Sequence, residues 1–189
     1  MQNIKTRVAD VVSSGLEANT SSNVVSRVTG RYVIECFDSS GKLRWSDESQ
    51  NLVVNVGLQY MAGAALTATT PITTWYIGLY GSGATNSPAS TDTLASHPGW
   101  TEITPYTGNR KQAVFAAATN ANPSVVTNSA STALFNINTT AVVGGAFLCS
   151  VATGTSGLLF SAADFSSPGD RTAYSGDLMR VSYTCSVAP

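Results

Sequence analysis

The sequence predicts an all-β fold: a β-sandwich or jelly-roll-like domain of about ten short strands, with one short helix and an extended N-terminal arm. Three observations carry this. Apolar and small polar residues alternate with a period of two along most of the chain, most clearly where Val181, Tyr183, Cys185 and Val187 interleave with Ser182, Thr184 and Ser186. Clusters of Gly, Pro, Asp, Asn and Ser interrupt these runs at short intervals, as turns do. A single stretch beyond the arm, residues 55–66, has convincing helical spacing. A chain of 189 residues suits one domain. At that size folding buries about 70% of the surface the unfolded chain exposes, so neither disulfides nor metals are required.

Residues 1–29 are polar and lack aromatics, and they are expected to form an arm ahead of the sandwich domain at 30–189. Val8, Val11, Val12 and Leu16 line one side of a short helix there, which Gly15 weakens. Strand alternation begins with Tyr32, Ile34 and Cys36, turns at Asp38-Ser39-Ser40-Gly41, and returns through Lys42 to Ser46, making a hairpin. Leu52 to Val54 continues the sheet. The helix is expected over Asn55–Leu66, with Asn55 as its cap and Leu58, Met61, Ala62, Ala65 and Leu66 on one face. A Thr-rich loop, 67–73, leads to a strong strand at Trp75–Tyr80, and a long surface loop occupies 81–99. Further strands are expected over 100–104, 111–116, 124–128, 132–138, 142–151, 158–162 and 178–187. No internal repeat is visible.

Charged residues are 11% of the chain, against about 25% in typical soluble domains. Residues 49–91 and 112–163 contain no Asp, Glu, Lys or Arg. Neutral faces of this kind suit a chain covered by partners, because desolvating charge is expensive. The net charge of −1 and the lack of a basic stripe argue against nucleic acid. No apolar run is long enough for a membrane span, and the N-terminus lacks a signal-peptide core, so synthesis in the cytoplasm is expected. Cys36, Cys149 and Cys185 lie in apolar strand patterns and read as buried thiols.

Little in the sequence points to catalysis. The one histidine, His97, stands between Ser96 and Pro98 in Asp92-Thr-Leu-Ala-Ser-His-Pro-Gly-Trp100. Serine, histidine and aspartate are local neighbours there rather than a triad drawn from separate elements, and no G-x-S-x-G elbow occurs. The expected structure is a loop folded back on the domain with Trp100 as anchor. The carboxylates Asp47 and Glu48, or Asp164, Asp170 and Asp177, lack the aromatic surroundings of a sugar cleft. The latter three are possible calcium ligands without EF-hand spacing. Gly81-Ser-Gly83 lacks the features of a phosphate loop. Gly144-Gly145 marks a bulge or a close backbone approach. Arg110-Lys111 reads as solvent-facing, and Arg171 beside Asp170 as an ion pair. Trp45, Trp75 and Trp100 read as core or interface anchors. No catalytic residue, cofactor or metal is assigned.

A set of strings occurs in order: Arg31-Tyr-Val-Ile-Glu-Cys-Phe-Asp-Ser-Ser-Gly-Lys-Leu-Arg-Trp45, Asn51-Leu-Val-Val-Asn-Val-Gly57, Trp75-Tyr-Ile-Gly-Leu79, DTLASHPGWTE at 92–102 with Tyr106 and Arg110, Gly144-Gly-Ala-Phe-Leu148, Gly157-Leu-Leu-Phe160, Asp164-Phe165, Arg171 and Ser175-Gly-Asp-Leu178. Over residues 30–187 this set resembles a family of small virion structural proteins of tailed bacteriophages and prophages. D-T-x-A-S-H-x-G-W-T-E is its most specific part. The resemblance implies a non-enzymatic particle component. The expected role is a capsid decoration or cement protein, bound to the outer head surface and stabilising capsomer contacts. Its partners would be the major capsid protein or other virion proteins and further copies of itself, in a virion assembled in the host cytoplasm. The alternative is a tail, collar or fibre component that recognises the host surface, with a carbohydrate as its expected ligand, through loop 81–99 and Tyr76, Tyr80 and Tyr106. Candidate interface residues are Val8, Val11, Val12 and Leu16 on the arm, and Trp75, Tyr76, Tyr80, His97, Trp100 and Tyr106 on the domain.

Overall fold

The strand β1 (Arg27–Phe37) turns Tyr32, Ile34 and Cys36 inward and Arg31, Val33, Glu35 and Phe37 outward, as period-two alternation dictates. A computed structural model describes residues 27–81, 87–166 and 169–189. The turn after β1 is held by the Asp38 carboxylate, which accepts from the Ser40 amide at 2.9 Å, the Ser40 hydroxyl at 2.6 Å and the Lys42 amide at 3.0 Å. Gly41 completes the turn at φ +83°, a conformation glycine adopts without penalty. The chain returns as β2 (Leu43–Gln50). The last strand, β12 (Leu178–Ala188), pairs antiparallel with all of β1, from Arg27 opposite Ala188 to Phe37 opposite Leu178. Two short strands, β7 (Ser124–Thr127) and β8 (Ala133–Asn136), share the far edge of β12. These five strands are the front sheet.

The back sheet runs β3 (Leu52–Val53), β10 (Leu159–Asp164), β9 (Ala141–Cys149), β4 (Trp75–Gly81) and β5 (Glu102–Ile103). Two more short strands complete it, β6 (Lys111–Ala113) on β4 and β11 (Arg171–Ala173) on β9. All pairings are antiparallel. The main core lies between the sheets, with Tyr32, Ile34, Phe135 and Val181 facing Ile77, Leu79, Val143 and Leu148. The all-β sandwich is thus present, with twelve strands among the described residues.

The back sheet is buried on both faces: Val143–Cys149 and Leu159–Ala163 have no exposed residue. Its outer face carries a second core of Tyr80, Phe147, Cys149, Leu159 and Ala162. Val54, Leu94 and Trp100 cover this core from the segment before the helix and from the loop at 87–101. This gives the neutral run at 141–163 an intramolecular cause, since a strand buried on both faces has no place for charge. Gly145 lies so close to the Ala163 carbonyl and the Tyr80 ring that a Cβ would overlap both, the close approach expected of the Gly144-Gly145 pair.

The helix α1 spans Asn55–Leu66, as expected, but its cap is Val54 with no side-chain hydrogen bond, and Asn55 is already helical. Gly57 is its one buried residue, set against the Phe160 backbone. One ion pair ties the sheets together, and a second holds the turn before β12 to β2. Asp47 on β2 meets Arg171 on β11 at 2.9 Å, and Asp177 meets Arg44 at 3.1 Å. Arg171 therefore pairs with Asp47 rather than with its neighbour Asp170. Residues 27–29, read from sequence as arm, are the first residues of β1, because β12 is long enough to pair them. Val8, Val11, Val12 and Leu16 lie outside the described residues.

Candidate functional site

The string at 92–102 forms a buckle across the back sheet. Asp92 is buried, and its Oδ2 accepts from the Trp100 indole at 2.9 Å and the Ala89 amide at 3.0 Å. The indole lies against Tyr80 and Phe147, with centroids at 5.1 and 5.0 Å. His97 stacks on Trp100 at 3.7 Å, and its Nδ1 is 2.9 Å from the Trp100 carbonyl. With one nitrogen on that carbonyl and its ring against an indole, His97 is bound to its own loop. No nucleophile, base and orienting group meet here as a hydrolase requires. Trp100 is the anchor that sequence reading expected.

The other candidate interface residues divide by burial. Tyr80, Trp100 and Tyr106 are 0, 2 and 2% exposed, so they form core rather than surface, which corrects their assignment as interface residues. Tyr80 faces the second core, and Tyr106 packs edge-on against Phe135 at 4.7 Å. Trp75 and Tyr76 are half-buried, and Trp75 sits edge-on between Tyr60 and Phe160. Half-buried His97 keeps one edge toward solvent.

Sequence reading missed a buried ion pair below the buckle. Arg110 reads as a solvent-facing partner of Lys111, yet its side chain is 4% exposed. Its Nε and Nη2 donate to the two carboxylate oxygens of Glu102 at 2.7 and 2.6 Å. Nη1 donates to the Val151 carbonyl at 3.1 Å and lies 3.6 Å from the Cys149 sulfur. A two-pronged guanidinium–carboxylate contact is a strong form of ion pair. Nothing in the local sequence distinguishes Arg110 from an exposed arginine, because Glu102 is set against it only when β5 pairs with β4. A shallow cleft of about 330 Å³ opens beside the pair. Among the described residues the buried Tyr106 hydroxyl near it has no hydrogen-bond partner.

Burial, reinforced by the Asp177 carboxylate, pushes the Cys36 thiol up to about 12. Burial also raises Cys149 and Cys185. All three are free cysteines, in protonated form at neutral pH. Among the described residues no group of three or more His, Cys, Asp or Glu side chains is placed to hold a metal. No described helix is long and apolar enough to cross a membrane.

What remains is surface. Beside α1 lies an open groove of about 840 Å³, lined by residues such as Gln59, Gly63, Thr67 and Thr93 with no charged side chain. The helix exposes Leu58 and Leu66, at 43 and 86%. Where α1 meets the sheets, Met61, Trp75, Phe115, Val126 and Cys185 line a smaller apolar slot of about 170 Å³. The outward face of the front sheet bears Val33, Glu35, Phe37, Leu43, Leu134 and Arg180. Comparison of the chain with protein-family models, curated proteins and solved structures found no match.

Proposed function

We propose that this chain is a structural component of a tailed-phage particle, a capsid decoration or cement protein that binds the outer head surface and bridges neighbouring capsomers. One observation carries the reading: the exterior around α1 is free of charge and exposes apolar side chains. From Asn55 to Pro88 the sequence holds no ionisable Asp, Glu, Lys or Arg, and along that stretch Leu58 and Leu66 stand in solvent beside an uncharged groove. Contiguous exposed apolar surface on a small domain marks a contact site. Covering it on a shell desolvates no charge, and weak contacts repeated over a symmetric lattice add through multivalency. The resemblance of the ordered strings to small virion proteins is consistent with this reading. The partners in this reading are the major capsid protein or neighbouring virion proteins, and the location is the virion.

A host-recognition role on a tail, collar or fibre has less support. Of the aromatics it would use, Tyr80 and Tyr106 are enclosed in the core.

The test uses particles of the phage that encodes the chain. Gradient-purified virions are expected to contain it at a fixed stoichiometry. Particles assembled without it are expected to bind the purified chain saturably, and Leu66→Lys is expected to lower that binding. A chain missing from purified virions and unable to bind the deficient particles would overturn the reading.

A further inference from the structure

We propose that the outer face of the front sheet is a two-fold contact surface whose occupant is a second copy of this chain. The sandwich is asymmetric. Its back sheet is covered by the chain's own helix segment and loop, whereas no described residue covers the outer face of the front sheet. An antiparallel sheet with one wet face carries polar residues on it. This face carries polar residues such as Ser46, Glu48, Ser182 and Thr184, and at one end an apolar row across three neighbouring strands: Leu43 opposite Phe37, and Phe37 opposite Leu178. Leu134 on β8 stands one pair along, opposite Arg180. Leu43 and Leu134 are 47 and 48% exposed.

The charges on the face select the occupant. Glu35 on β1 stands directly opposite Arg180 on β12. Among the described residues neither forms an ion pair. The Arg180 guanidinium lies over the Phe37 ring at 4.8 Å. Arg31, the next outward charge on β1, is already paired with Glu48 at 2.7 Å. A two-fold axis in the plane of the contact, running along the strands between β1 and β12, lays β1 of one copy over β12 of the other. That operation sets Glu35 over Arg180 of the partner subunit and Arg180 over the partner subunit's Glu35. It also sets Phe37 over the partner subunit's Leu178. One symmetry operator thus matches both lone charges and pairs Phe37 with Leu178 twice across the axis, which is what an isologous interface requires. Sheet-on-sheet packing at about −30° tolerates this alignment.

The size fits as well. The sheet is four strands wide at its broadest, and its central strands are 11 residues long. At about 4.8 Å between strands and 3.3 Å per residue its five strands present roughly 600 Å². Each partner in a standard stable interface contributes about 800 Å². This surface is separate from the uncharged groove beside α1, and the inference does not depend on the particle role.

The experiment is sedimentation of the full chain, alone and as charge variants whose fold is checked by circular dichroism. The wild type is expected to be a dimer at tens of micromolar. Glu35→Arg alone and Arg180→Glu alone each put like charges in contact, and each is expected to weaken the dimer by at least about tenfold. Mixed in equal amounts, the two variants are expected to form a heterodimer, because E35R then faces R180E and the untouched Arg180 faces the untouched Glu35. Rescue on mixing reports contact between copies, since a charge pair within one chain gains nothing from mixing. A monomeric wild type would overturn the proposal, as would single variants that stay dimeric or a mixture that stays monomeric. A full chain that dimerises only after deletion of residues 1–26 would assign the face to that segment and also overturn it. Particle binding by a monomeric E35R would leave the proposed virion role standing, so the two ideas fail separately.

Discussion

Trp100→Ala tests the buckle that seals the back sheet. The indole is 2% exposed and contacts Tyr80 and Phe147 in the second core. Truncating a large buried aromatic costs about 3–5 kcal/mol. The buried Asp92 carboxylate also loses its indole donor and, among the described residues, keeps only the Ala89 amide, so the upper half of that range is expected. For a domain of this size each kcal/mol lowers Tm by about 2–4 °C, which places the variant roughly 10 °C or more below the wild type. Trp100→Phe separates the two contributions: it restores most of the apolar contact but not the donor, and it is expected to recover more than half of the loss. His97→Ala removes a half-buried ring stacked on the outside of the indole, and about 1 kcal/mol or less is expected. The assay is urea unfolding followed by fluorescence and circular dichroism, with coincident transitions as the check on two-state behaviour. A Trp100→Ala loss below about 1 kcal/mol would refute the buckle as a structural anchor. So would a His97→Ala loss as large as that of Trp100→Ala.

Gly145→Ala drives a Cβ into the Ala163 carbonyl and the Tyr80 ring and is expected to abolish soluble expression or lower Tm steeply. Gly41→Ala, at φ +83° with no atom within 4 Å, is expected to cost only about 1 kcal/mol. Hydrogen bonds from Ser40 and Lys42 hold the Asp38 carboxyl below its usual 3.8. Its stabilising effect is therefore complete above that value and is lost as pH falls through the lower folded-state value. Asp38→Asn should flatten that part of the acid-unfolding profile, and NMR titration of Asp38 gives the direct reading. Asp164 moves the opposite way, raised by burial, so its contribution to stability should grow as pH falls through its folded-state value. In thiol labelling of the native protein, half-buried Cys185 is expected to react ahead of Cys36 and Cys149, with all three reacting in denaturant. Fast native labelling of Cys36 would contradict its burial.

The β1–β2 hairpin, β12 and the helix at 55–66 were legible because each follows a periodic pattern with its own stop signals, Asp38 to Gly41 and the Thr-rich loop. The strand at Arg171–Ala173 was not legible: it has no alternation of its own and is a strand because it pairs with β9. Among the candidate contact residues, the anchoring role of Trp100 followed from its loop, but the burial of Tyr80 and Tyr106 did not. Tyr80 sits in a strand covered on both faces, where inward and outward positions look alike in sequence. Arg110 was misread for a related reason, since its carboxylate partner lies on another strand.

From sequence alone come the all-β class, the turns, the single helix and the two long stretches without charge, because these depend on residue type and on spacing between near neighbours. Only the tertiary structure decides what covers each apolar face. Much of the neutral run at 141–163 proves to be enclosed by the chain's own loop and helix segment, while the open front sheet is the one that carries Glu35 and Arg180. Alternation states which side of a strand avoids water. The identity of the surface that excludes the water is set by contacts between residues far apart in the chain.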